Sequence, residues 1–219
     1  MGLLSSLFGK KTTTTTTTTI SSNLDKDTTK KEMISADSEY RNLMESLEWQ
    51  DKLIATVQKA REKYEEDKKI DDLIKSYEYV LLEANPPIKN MRSLPISLAE
   101  LYRKSNQNDK AWGYLNSLLL THPELLDKIR FEQCKILKSE KKYIEAMEML
   151  MCGYLYKSKW NNTFNEKHFT KDATPISNRL KWDSQKIEYL AYLIKSQVDK
   201  QNYREDTLIQ NYRKALEQF

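Results

Sequence analysis

From Asp37 onward the apolar residues fall three and four positions apart. Tyr40, Leu43, Met44, Leu47, Leu53, Ile54 and Val57 keep this step, which is the period of one face of an α-helix. A second run of Leu73, Ile74, Tyr77, Val80 and Leu81 ends at Asn85-Pro86-Pro87. Proline cannot continue a helix, and the residue before it avoids the helical region, so the stop is well marked. Residues 94–124 divide into two shorter runs around the polar Ser105-Asn106-Gln107-Asn108, with Pro123 as the second stop. Leu98, Ala99 and Tyr102 face inward in the first run, and Ala111, Leu115 and Leu118 in the second. Ala99 and Ala111 are small enough to let the two helices approach closely. One such hairpin cannot bury its apolar face alone and needs neighbours.

Beyond Ser158 the period breaks. Lys159 to Asn178 is polar, with Trp160, Phe164, His168 and Phe169 scattered through it, which predicts a loop over 159–179. Ile187, Leu190, Ala191, Leu193 and Ile194 then restore a helical face, and Tyr203, Leu208, Ile209, Tyr212 and Leu216 predict a last helix. At the other end, an unbroken threonine run covers Thr12 to Thr19 and a polar stretch continues through Lys31. Such a segment buries too little apolar surface to offset the entropy of ordering, so residues 1–36 read as a disordered tail. Its first eleven residues differ. Leu3, Leu4, Leu7 and Phe8 share one side of a short helix, with Lys10 and Lys11 following, the pattern of a weak membrane-surface or partner anchor. Met1-Gly2 with Ser6 also fits the N-myristoylation pattern. One acyl chain with two lysines gives only marginal, reversible attachment.

The expected fold is therefore all-α. A helix-turn-helix array over 37–158 is followed by the loop and by two helices over 180–219 that pack on the array and cover its end. Leu98, Ala99, Tyr102, Ala111, Leu115, Leu118 and Pro123 stand at the spacings of the tetratricopeptide repeat, and residues 92–125 resemble that family. Pro95 stands where the family has a tryptophan, and Asn106 where it usually has a turn glycine. The next segment is similar in weaker form, with Cys134 at the small position, Leu137 where the aromatic belongs, then Ala146, Leu150 and Gly153. Ala146 follows Ala111 by 35 residues. Upstream, Ala60, Tyr64, Leu73, Tyr77 and Val80 resemble another copy. Leu73 precedes Ala111 by 38 residues, which points to an insertion around Pro86 to Met91.

Composition agrees with helices. Only 4 Gly and 5 Pro occur in 219 residues, too few for the turns of a sheet protein. The net charge of +4 balances 36 basic against 32 acidic residues, an excess too small to point to nucleic acid. The surplus does lie in the C-terminal part, where residues 153–219 hold 12 basic and 8 acidic side chains. Two Cys and two His form neither a disulfide framework nor a metal-ligand spacing, so a reducing compartment, no metal and no cofactor are expected. Cys134 and Cys152 fall inside apolar helical patterns, where a thiol acts as a small hydrophobe. No glycine-rich phosphate loop occurs. His168, with Glu166 and Asp172 near it, resembles the chance neighbours of a polar loop. No catalytic constellation stands out, and the chain reads as a non-enzyme. No run approaches the roughly 20 apolar residues of a membrane span.

The resemblance implies where a partner would lie. In tetratricopeptide arrays the first helix of each pair lines a concave groove. Carried over residue by residue, this places Ile96, Glu100, Arg103 and Lys104 toward the groove in the best repeat, and Phe131, Lys135 and Lys138 in the next. The upstream copy would offer Gln58, Glu62 and Glu65. The expectation is a basic strip with apolar residues between, suited to an acidic peptide or protein segment. The family's carboxylate-gripping chaperone clamp is not evident. The chain thus reads as a cytoplasmic scaffold or adaptor, with a membrane-peripheral protein tethered by its first residues as the rival. Trp160 in the 159–179 segment is a second candidate anchor.

Overall fold

The computed structural model describes residues 24–83 and 93–219. All regular structure among them is helical: α1 (Leu24–Asp67), α2 (Ile70–Glu83), α3 (Leu94–Lys104), α4 (Asn108–Thr121), a single 3₁₀ turn (Pro123–Leu125), α5 (Leu126–Ser139), α6 (Tyr143–Asn161), α7 (Glu166–Leu180), α8 (Ser184–Asp199) and α9 (Glu205–Leu216). Contacts divide the chain into two units, Met1–Trp49 and Gln50–Phe219. In the first, the described structure is helical, and Met44 and Leu47 are exposed. The packing below belongs to the second. No described helix is long and apolar enough to cross a membrane.

Short turns join the helices from α3 onward, and two of them share one hydrogen-bond pattern. After α3, Asn106 takes φ 61. Its N–H donates to the Arg103 carbonyl, that of Gln107 to Tyr102, and that of Ala111 to Gln107. After α5, 35 residues on, Lys141 takes φ 62. The N–H groups of Lys141, Lys142 and Ala146 donate to the carbonyls of Lys138, Leu137 and Lys142. The six-to-one bond with a left-handed residue before it satisfies carbonyls that a helix end leaves open. Lys181 and Gln201 are also left-handed and close α7 and α8, with Trp182 bonded back to Ser177 and Asn202 to Gln197.

Helices neighbouring in sequence are neighbours in space. α3 rests on α2, α4 and α5, and α5 on α6. α6 is the hub, touching α5, α7, α8 and α9. Within the α3–α4 hairpin Leu98, Ala99, Tyr102, Ala111, Leu115 and Leu118 are all buried, and both alanines are fully enclosed. At the next crossing Gly153 leaves room for the Phe131 ring. A Cβ there would lie 2.6 Å from that ring's Cε1. α9 returns to the middle of the stack. The Tyr212 hydroxyl donates to the Ile144 carbonyl at 2.9 Å, and Arg130 pairs with Glu205 at 2.6 Å. Tyr156 also donates to Glu205, at 2.7 Å.

Two expected boundaries are corrected. The tail was expected to reach residue 36, but α1 begins at Leu24. Neither Gly nor Pro interrupts 24–67, and extending an existing helix costs far less than starting one. The loop expected over 159–179 is largely helix. α6 runs to Asn161, and α7 starts at Glu166 with the Asn165 side chain accepting from the His168 N–H at 3.0 Å. Pro175 lies inside α7, where proline ordinarily breaks a helix. Phe169, Ala173 and Ile176 nevertheless share one buried face, and their burial outweighs the lost backbone bond. The Thr12–Thr19 run, the anchor residues Leu3, Leu4, Leu7 and Phe8, and the insertion at Pro86 to Met91 lie outside the described residues.

Candidate partner-binding face

Two adjacent helices carry the residues that the repeat resemblance assigns to a groove. α3 holds Ile96, Glu100 and Arg103, all half-buried, with exposed Lys104, and α5 holds half-buried Phe131 and Lys138 with exposed Lys135. Between them sits a residue that sequence reasoning missed. Glu132 is only 1% exposed, yet it carries a carboxylate. Arg103 Nε donates to its Oε1 at 2.6 Å, and Lys135 Nζ pairs with its Oε2 at 2.7 Å. On a helical wheel a glutamate amid lysines reads as a solvated position. Nothing local shows that α3 will supply an arginine to bury it.

The strip is accordingly not the open basic surface that the resemblance implied. Arg103 and Lys135 are committed to Glu132, while Lys104 pairs with Glu100 at 2.9 Å. Burial pushes the Glu100 carboxyl up. The Lys104 hydrogen bond and the charges of Lys104, Lys135 and Arg103 outweigh it, leaving the group below the usual carboxylate range. The Lys138 side chain makes no ion pair or hydrogen bond among the described residues. It is the cation of this strip that a bound carboxylate would meet without displacing a resident one.

An aromatic cluster floors the end of the strip. Phe131 meets Tyr154 edge-on with centroids 5.3 Å apart, and Tyr154 meets Phe169 at 5.4 Å and Phe164 at 6.2 Å. The Tyr154 hydroxyl donates to Asp172 at 2.7 Å. This draws Asp172 away from the His168 cluster considered above and toward α6. Burial pushes the Cys134 thiol up to about 12. The Cys152 thiol is also raised, first by burial. Both cysteines are free and buried. Among the described residues no group of three or more His, Cys, Asp and Glu is placed to hold a metal ion.

Trp160 belongs to the last turn of α6 rather than to a loop, and it is 60% exposed. With Glu124, Leu125, Asp127, Lys128, Lys157 and Asn161 it lines an open groove of about 410 Å³ at the α4–α5 junction. Trp112 packs half-buried against the main apolar cluster. His122 ends α4, with its Nδ1 2.8 Å from the Thr121 hydroxyl. No known family model, curated protein or solved structure is detectably similar to this chain.

Proposed function

We propose that the chain is a helical-repeat scaffold of tetratricopeptide type that holds a protein or peptide partner and catalyses no reaction. The observation that carries the reading is the recurrence, at a 35-residue offset, of one turn with an enclosed alanine five residues after its left-handed residue. Asn106 and Lys141 share their left-handed backbone and their set of carbonyl bonds, while Ala111 and Ala146, also 35 apart, are both fully enclosed. Equal turns and equal close contacts are what stacked repeats require. The partner lies along α3 and α5, with apolar groups against Ile96 and Phe131 and a carboxylate on Lys138. The scaffold works in the cytoplasm, or at a membrane surface if residues 1–11 tether it. Removing those residues and fractionating membranes separates these two placements.

The test is affinity capture with the full chain as bait, repeated with Lys104→Glu and Lys138→Glu together. Arg103 and Lys135 are left alone, because removing either would strand the buried Glu132 charge. A partner held by the parent and lost by the double variant, at unchanged melting temperature, supports the reading. Capture that ignores the reversal moves the site to the Trp160 groove.

A further inference from the structure

α8 packs on α6, α7 and α9, and its remaining face is a stripe of exposed residues: Gln185, Glu188, Tyr189, Tyr192, Lys195 and Asp199. Tyr189 is 42% and Tyr192 62% exposed, and their rings lie 6.4 Å apart. Tyr189 also meets Phe219 edge-on at 6.2 Å, and Phe219 meets Trp182 at 5.2 Å. Four aromatic side chains thus run in contact across this surface. Aromatic groups, tyrosine among them, are enriched where proteins meet and depleted on surfaces that stay in water.

The charges on the stripe say what covers it. The Glu188 carboxylate makes no ion pair or hydrogen bond among the described residues. Lys195 binds only Asp199 of its own helix, at 2.5 Å. We propose that this face joins two copies of the chain about a two-fold axis passing near Tyr192. Such an axis sets the two α8 helices antiparallel and makes the contact self-complementary. Tyr192 then faces Tyr192 of the second copy, Tyr189 faces its Lys195, and Gln185 faces its Asp199. Glu188 comes beside Lys195 of the second copy, twice over. Each unpaired glutamate gains a cation, and each lysine a second carboxylate. A partner of one charge sign would set either Glu188 or Lys195 against its like. The proposal concerns a different surface from the α3–α5 face and stands or falls apart from it.

Sedimentation velocity of the full chain at increasing concentration tests this, with four variants beside the parent. These are Tyr189→Ser with Tyr192→Ser, Glu188→Lys alone, Lys195→Glu alone, and the last two combined. The parent should sediment at twice the chain mass and the tyrosine variant at once, with helical circular dichroism unchanged because both side chains are exposed. Each single charge variant should weaken the dimer by about tenfold, since two exposed pairs are lost together. The combined variant should recover most of that loss. A parent that stays at one chain mass overturns the proposal. So does a dimer indifferent to the tyrosine changes, or one that the combined variant weakens as much as both singles together.

Discussion

Lys141 holds a backbone conformation that costs an L side chain roughly 1 kcal/mol; its φ is 62. Asn106, in the equivalent turn, enters the same region more easily, as asparagine does in general. Lys141→Gly should therefore raise stability by about 0.5–1 kcal/mol in a denaturant titration. An unchanged or lower midpoint would argue against the left-handed assignment. Gly153→Ala should act the other way. The added methyl meets the Phe131 ring at 2.6 Å, and overpacking of this kind costs about 1–3 kcal/mol. Legibility at this scale was uneven. Asn106 was readable, standing where the repeat family has glycine. Lys141 was not, since a lysine gives no sign of backbone strain. Glu132 was hidden for a different reason, because its burial depends on Arg103, 29 residues away.

Among the elements, the α3–α4 hairpin was the most legible. Pro123, the polar turn and two enclosed alanines all point to one arrangement. Leu115 is fully buried at its centre, so Leu115→Ala should cost about 2–5 kcal/mol, read as a drop in the unfolding midpoint. A variant that melts like the parent would remove the hairpin from the core. α7 was the least legible element. Its polar composition masked a face of Phe169, Ala173 and Ile176 that the three-and-four spacing already contained. Because an interior proline removes one helix bond and crowds the carbonyl four residues back, Pro175→Ala should stabilise α7 by about 1–3 kcal/mol. A stability loss instead would mean that the pyrrolidine ring itself packs in a way that alanine cannot replace. The early start of α1 was missed because its first turns are polar all round. Such a stretch takes its helicity from the apolar part it extends.

Across the whole molecule, a few charged groups link distant helices and set the response to pH. Glu78 accepts from Lys110 at 2.6 Å and from Tyr102 at 2.6 Å. These bonds, the lysine's first, hold its carboxyl below the ordinary 4.5. A group depressed in the folded state stabilises fully above its unfolded value and stops doing so as the pH falls through its folded value. The melting temperature should thus drop as the pH falls below about 4.5. Glu78→Gln should show a smaller drop, and an equal drop would clear Glu78 of the effect. The order of helices was largely readable at this scale, while the return of α9 to α6 was not. Glu205 and Tyr212 carry no sign that they meet Arg130 and the Ile144 carbonyl, 75 and 68 residues earlier. That return governs how the fold bears force. A pull on residue 219 passes through α9 into both α6 and α8, so α8 and the α7 it rests on share the load that α9 carries. In an optical trap they should come apart together with α9, in one long step rather than one helix at a time.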